Sequence, residues 1–293
     1  MNPTPARAWP LLSERVGCEI WVKHENDAPT GAFKVRGGIV YVQRLVERIR
    51  PAGVVAATRG NHGQSIAFAA RRAGLPCTIV VPEGNSAAKN RAMRALGATL
   101  VVEGHDFQAA LEHATALARD RSLHLVPSFH PDLVEGVASY ALELFDSVPD
   151  LDEVYVPIGL GSGACGVIAA RDALGLSTRV VGVVAEEAPC YALSFAAGEP
   201  IATETAETFA DGLAVRVPNP DAVSTLLDGA ARIVTVGEDE IRSAMRILST
   251  DAHTIAEGAG AAALAAALGD PPASKRIAVI LSGGNIDPAL QPE

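Results

Sequence analysis

The chain has 293 residues, 48% hydrophobic and 20% charged, long enough for two compact units and apolar enough to be ordered nearly throughout. Thirty-four acidic against 24 basic residues leave a net charge of -10, which repels phosphate backbones and anionic membrane surfaces and argues against a nucleic-acid partner. No basic and apolar leader opens the sequence and no apolar run approaches the roughly 20 residues that cross a bilayer, so no membrane partner and a cytoplasmic location are expected.

Taken in chain order, short β-branched runs alternate with amphipathic, alanine-rich stretches. Strands are predicted at 53–57, 77–81, 99–102, 154–158, 179–184, 232–236 and 276–281, and helices at 65–73, 86–96, 107–118, 167–174, 241–248 and 259–268. Gly74, Gly97 and Gly175 stand where three of these helices should stop. The alternation predicts an α/β fold of parallel sheets covered by helices. A break near residue 130 and a loop at 149–152 divide it into a larger lobe, 1–50 plus 131–293, and a smaller one, 51–130. Cys18, Cys77, Cys165 and Cys190 are widely separated, form no CxxC pair and lie in apolar surroundings, which predicts buried thiols.

Ligands of such folds sit beyond the carboxyl ends of the strands, and four segments there carry chemistry. In Thr30-Gly-Ala-Phe-Lys34-Val-Arg-Gly-Gly38 a lysine opens a helix. An ammonium at a helix N-terminus, partly desolvated, has its charged form disfavoured, which suits Schiff-base chemistry; a solvated surface lysine is the bland reading. Thr58-Arg-Gly-Asn-His-Gly-Gln64 lies between a strand and a helix, where exposed amides can bind a carboxylate, although Thr58 and Asn61 also suit helix capping and His62 a structural role. Gly159-Leu-Gly-Ser-Gly-Ala-Cys-Gly166 has the small residues that let N–H groups and the Ser162 hydroxyl close on a phosphate. Its Gly161 to Gly166 part also satisfies G-x-G-x-x-G, with Glu186 near the place of a ribose-binding acid, so a nicotinamide cofactor stays open on this motif alone. Leu281-Ser-Gly-Gly-Asn285 closes the last strand with a hydroxyl and flexible glycines.

In this order the four segments resemble the fold-type II pyridoxal-phosphate enzymes, specifically the serine/threonine dehydratase and serine racemase family. The likeness runs over nearly the whole chain and includes Thr4-Pro5, Phe209-Ala-Asp-Gly212, Glu238-Asp-Glu240 and Glu257-Gly-Ala-Gly260. It implies a two-lobed, tryptophan synthase β-like architecture and a pyridoxal 5'-phosphate cofactor carried by Lys34, with Phe33 beside the ring. Asn61 would meet the ring hydroxyl and Ser282 the pyridine nitrogen. Gly159, Gly161, Ser162 and Gly163 would cradle the phosphate, and Glu257 would also line the cofactor. A neutral hydroxyl at the ring nitrogen limits carbanion delocalisation and favours elimination. Thr58, Arg59, Gly60, Asn61 and His62 would hold the substrate carboxylate. Lys34 would take the α-proton, and the β-hydroxyl would leave with a proton from the cofactor phosphate. The implied activity is dehydration of a β-hydroxy amino acid such as L-threonine or L-serine to a 2-oxo acid and ammonia, by a homodimer.

Three departures qualify the likeness. Racemases of the family place a serine where this chain has Arg59, which cannot relay protons near neutrality but can pair with an anionic substrate tail, as in 3-hydroxyaspartate. Phenylserine also fits the mechanism. Metal-dependent members hold magnesium or calcium through a glutamate, a carbonyl and an aspartate; Glu186 and Cys190 match the first two, while Ala192 replaces the third. The sequence ends soon after Asn285, so no regulatory domain and no feedback inhibition by isoleucine are expected. The other classes of function are a nicotinamide oxidoreductase and a ligand-binding protein without turnover; a nicotinamide site would leave Lys34, Asn61 and Ser282 unexplained. Within the family, a racemase and a β-replacement enzyme remain as alternatives.

Overall fold

The computed structural model describes residues 1–269, 275–287 and 290–291, and the chain divides into two compact units, Met1–Phe33 with Ala138–Glu293, and Lys34–Val137. In chain order the first half holds β1 (Ala6–Ala8), α1 (Pro10–Val16), β2 (Glu19–His24), α2 (Lys34–Arg48), β3 (Val54–Ala57), α3 (Asn61–Arg72), β4 (Cys77–Val81), α4 (Ala87–Ala95), β5 (Thr99–Val102), α5 (Phe107–Asp120) and β6 (His124–Leu125). The second half holds α6 (Pro131–Ser147), β7 (Glu153–Pro157), α7 (Ser162–Ala173), β8 (Arg179–Ala185), α8 (Cys190–Ala197), α9 (Pro220–Gly229), β9 (Ala230–Val236), α10 (Glu238–Asp251), α11 (Gly258–Gly269) and β10 (Arg276–Leu281).

The first unit is built on a six-stranded sheet of order β1-β2-β10-β7-β8-β9, parallel throughout except for the antiparallel edge strand β1. Ile20, Val22, Tyr155, Val181 and Ile277 pack on one face with Leu248 and Leu264. The α11 helix consists only of glycine, alanine and leucine and is buried from Gly258 to Ala267, as a helix without a polar face must be. A Cβ on Gly260 would collide with the Gly283 carbonyl, so α11 meets the turn after β10 backbone to backbone. Lys23 is buried in β2 because its ammonium donates to the Thr4 carbonyl and the Glu143 carboxylate, each at 2.7 Å.

The second unit holds a four-stranded parallel sheet, β5-β4-β3-β6. Side chains alternate along β3: Val54 and Ala56 pack with Ile66 and Met93, while Val55 and Ala57 face Ala110 and Ala114 of α5. The α2 helix, placed with the larger lobe by the sequence pattern, packs here against α3. Gly38 leaves room for the Ser65 hydroxyl, which donates to the Lys34 carbonyl at 2.6 Å. Asp132, at the start of α6, accepts from Arg44 at 2.6 Å and Arg48 at 2.9 Å and so fastens the last turns of α2. Among the described residues no helix is long and apolar enough to cross a membrane.

Candidate active site

Because β2, β10, β7 and β8 run parallel, the segments that follow them leave the first unit's sheet at one edge. These are residues 25–33, Ser282, Gly159 to Gly163, and Glu186. Phe33 N–H donates to the Ser282 carbonyl at 3.0 Å, and Ala32 bridges Gly283, which fixes the backbone just before Lys34 to the turn after β10. The Ser282 hydroxyl is buried, 3.4 Å from the Ala259 carbonyl. Glu257 is buried at the start of α11; its N–H donates to the Gly283 carbonyl at 3.1 Å and its carboxylate occupies the space a side chain on Gly283 would need.

The turn after β7 is a cradle. Gly161 has φ +95°, a conformation that favours glycine, and Gly159 lies against the Gly212 carbonyl with no space for a Cβ. The first helical bond of α7 is Cys165 N–H to the Gly161 carbonyl at 2.9 Å. The N–H groups of Gly161, Gly163 and Ala164 are buried and find no acceptor among the described residues, and no side-chain cap closes the turn. Buried backbone donors are nearly always paired. Three together at a helix N-terminus are what a phosphate group satisfies, and with Ser162 buried beside them the residues present fit the phosphate of the cofactor implied above.

In the second unit, the turn after β3 leads into α3. The buried Thr58 hydroxyl accepts from Gly60 N–H at 2.9 Å and Gly63 N–H at 3.2 Å, and holds the turn closed. Asn61 opens α3 half-buried, Gly60 is buried against the aliphatic stem of Lys89, and Arg59 is exposed. His62 stands on the first turn of α3, one turn before Ser65, so it shares the side of α3 that meets the start of α2 and Lys34. Burial and the charge of Lys34 push its pKa down to about 3, so the imidazole is neutral, and its Nε2 has no hydrogen-bond partner. The structure thus groups Phe33, Gly159, Gly161, Ser162, Gly163, Glu257 and Ser282 in one unit, and Lys34, Thr58, Arg59, Gly60, Asn61 and His62 in the other.

Among the described residues no group of three or more His, Cys, Asp or Glu side chains is placed to hold an ion. Glu186 is exposed, and the Cys190 carbonyl accepts the Ser194 hydroxyl at 2.6 Å, so the expectation of magnesium or calcium at Glu186 and Cys190 is not supported. Cys77, Cys165 and Cys190 are buried free thiols and Cys18 is half-buried. Sequence reasoning passed over Tyr140 and Tyr191, whose hydroxyls donate to the Gly163 and Leu160 carbonyls at 3.0 Å. They lie 23 and 31 residues from the carbonyls they touch, and nothing in the local pattern marks them.

Residues 1–283 match the family described as "Pyridoxal-phosphate dependent enzyme". The chain is 37% identical over 279 residues to the L-threonine ammonia-lyase of Thermotoga maritima, covering 94% of this chain and 70% of that one. To the biosynthetic L-threonine dehydratase of Haemophilus influenzae it is 32% identical over 289 residues, covering 97% of this chain but only 56% of the relative, so it spans little more than half of that enzyme. Its fold superimposes on the structure of maize serine racemase with a TM-score of 0.93 at 28% identity, covering 98% of this chain and 89% of the other.

Proposed function

The chain belongs to the family of pyridoxal-phosphate dependent enzymes, and on that basis we propose that it is an ammonia-lyase that converts a small β-hydroxy amino acid, such as L-threonine or L-serine, to a 2-oxo acid and ammonia. The observation that carries the reading is the row of buried, unpaired N–H donors at Gly161, Gly163 and Ala164, which fits the phosphate of that cofactor; the row alone would suit a dinucleotide as well, and the family match is what favours pyridoxal phosphate. The Thermotoga and Haemophilus relatives support the choice of substrate class.

When bound, the cofactor supplies an electron sink for the α-carbon. Lys34, at the first position of α2, is the residue that would hold it, and its amine would serve as the base for the substrate α-proton. The turn from Thr58 to His62 would receive the substrate carboxylate; Thr58 fixes the shape of that turn by accepting the Gly60 and Gly63 N–H groups. His62 is neutral, so it adds no charge beside Lys34. Asn61 and Ser282 would meet the ring hydroxyl and ring nitrogen, and Phe33 and Glu257 would line the ring.

Arg59 favours elimination over racemisation, since a guanidinium cannot give up its proton near neutrality. It also favours a second reading for the substrate. Arg59 is exposed and forms no ion pair or hydrogen bond among the described residues, which leaves its guanidinium available for the second carboxylate of 3-hydroxyaspartate. Comparing 2-oxo acid release from threonine, serine and 3-hydroxyaspartate tests both readings. No release from any of the three, by protein loaded with cofactor, would overturn them.

A further inference from the structure

We propose that Tyr191, together with Tyr140, is a positioning residue that sets the direction of the N–H groups in the turn from Gly159 to Ala164, and thereby the strength with which that turn holds a phosphate. The inference rests on the cofactor reading above. Tyr191, on α8, is buried; its hydroxyl donates to the Leu160 carbonyl at 3.0 Å and accepts from Asn219 N–H at 3.0 Å. Burial raises its pKa, so the phenol keeps the proton it donates.

In a trans peptide the carbonyl and the N–H point in opposite directions. With the Leu160 carbonyl held on Tyr191, the N–H of Gly161 must face away from α8, and on that side it finds no acceptor. Tyr140 does the same one turn later: its buried hydroxyl donates to the Gly163 carbonyl at 3.0 Å, which directs the Ala164 N–H away from α6. Tyr191 also ties in a second element. Asn219 caps α9 by accepting Ala222 N–H at 3.1 Å, and the Ala222 methyl would lie 2.7 Å from a Cβ on Gly161. One phenol therefore locks the turn and the start of α9 against each other. Tyr140 meets the Phe33 ring edge-on at 6.1 Å, so it braces both the phosphate turn and the residue that precedes Lys34.

Removing the hydroxyl leaves the half-buried Leu160 carbonyl without its donor. The peptide then either bears that cost or rotates and misdirects the Gly161 N–H. The test compares equilibrium binding of pyridoxal 5'-phosphate and of pyridoxal, which lacks the phosphate, to wild type, Tyr191→Phe and Tyr140→Phe. Both variants keep the ring and its packing. The expected result is that each variant binds the phosphorylated compound about tenfold more weakly, with pyridoxal binding unchanged. A general structural role would weaken both compounds alike, and that outcome, or unchanged binding of both, overturns the inference. Should Tyr191→Phe not fold, Tyr140→Phe carries the same comparison. A wild-type chain that binds neither compound overturns the cofactor reading itself, and is told apart from failure of the inference by the wild-type measurement alone.

Discussion

Replacing Gly161 by alanine should be disproportionately costly, and its neighbours show why. At φ +95° an L side chain costs about 1–2 kcal/mol. The new Cβ would also fall 2.7 Å from the Cβ of Ala222, and moving the first turn of α9 to relieve the contact costs about 1–3 kcal/mol more. The sum is about 2–5 kcal/mol. At about 2 °C per kcal/mol for a chain of this size, Gly161→Ala should melt about 4–10 °C below wild type. Any relaxation that turns the Leu160–Gly161 peptide spoils the donor row, so cofactor affinity should fall about tenfold or more. Gly175→Ala is the control: it has φ +64° but nothing within 4 Å of the added Cβ, so only the conformational cost applies and cofactor affinity should not change. Thermal melts and cofactor titrations of the two variants decide the matter. If they behave alike in both assays, the phosphate cradle is misassigned.

Other perturbations give equally definite outcomes. His62 and His24 sit at about pKa 3 and 4, below the usual 6.5, each chiefly through burial. The folded state therefore binds fewer protons than the unfolded chain between these values and 6.5, so stability is fully present above about pH 6.5 and declines as the pH falls. The slope approaches about 1.4 kcal/mol per pH unit for each histidine. Urea unfolding at pH 7 and pH 5 should show a smaller pH difference in His62→Gln than in wild type, and an identical difference would show that His62 titrates normally. Asp132→Ala removes the carboxylate that holds Arg44 and Arg48; it should cost about 1.5–3 kcal/mol in denaturant unfolding while cofactor affinity stays at the wild-type value. For Arg59→Ser, kcat/KM for 3-hydroxyaspartate should fall about tenfold or more relative to that for threonine, and an unchanged ratio would remove Arg59 from substrate selection.

The parallel core was legible in the sequence because buried strands write themselves as β-branched runs: 77–81 and 99–102 coincide with β4 and β5, and 276–281 with β10. The strand β2 was not, because its six residues include Glu19, Lys23 and His24, and Lys23 is made compatible with burial only by partners 19 and 120 residues away. The α6 helix also escaped notice, since its start coincides with the break that separates the two predicted lobes. The turns of the candidate site were readable because glycine beside serine, threonine or asparagine marks close backbone approach, and Gly161 does adopt a positive φ. What the pattern could not convey is which side chains direct those turns. Tyr140 and Tyr191 look like any buried aromatic residues until tertiary contacts place them on Gly163 and Leu160. The metal expectation finds no support among the described residues: Glu186 is exposed, and no group of three or more His, Cys, Asp or Glu side chains is placed to hold an ion.

The most direct test of the account is the visible spectrum of wild type and Lys34→Ala, both supplied with pyridoxal 5'-phosphate, followed by 2-oxo acid measurement after addition of L-threonine, L-serine or 3-hydroxyaspartate. The account predicts an absorption band of covalently bound cofactor and 2-oxo acid release in wild type, with both lost in Lys34→Ala. The same band in both proteins, or 2-oxo acid formed by Lys34→Ala at the wild-type rate, would contradict it.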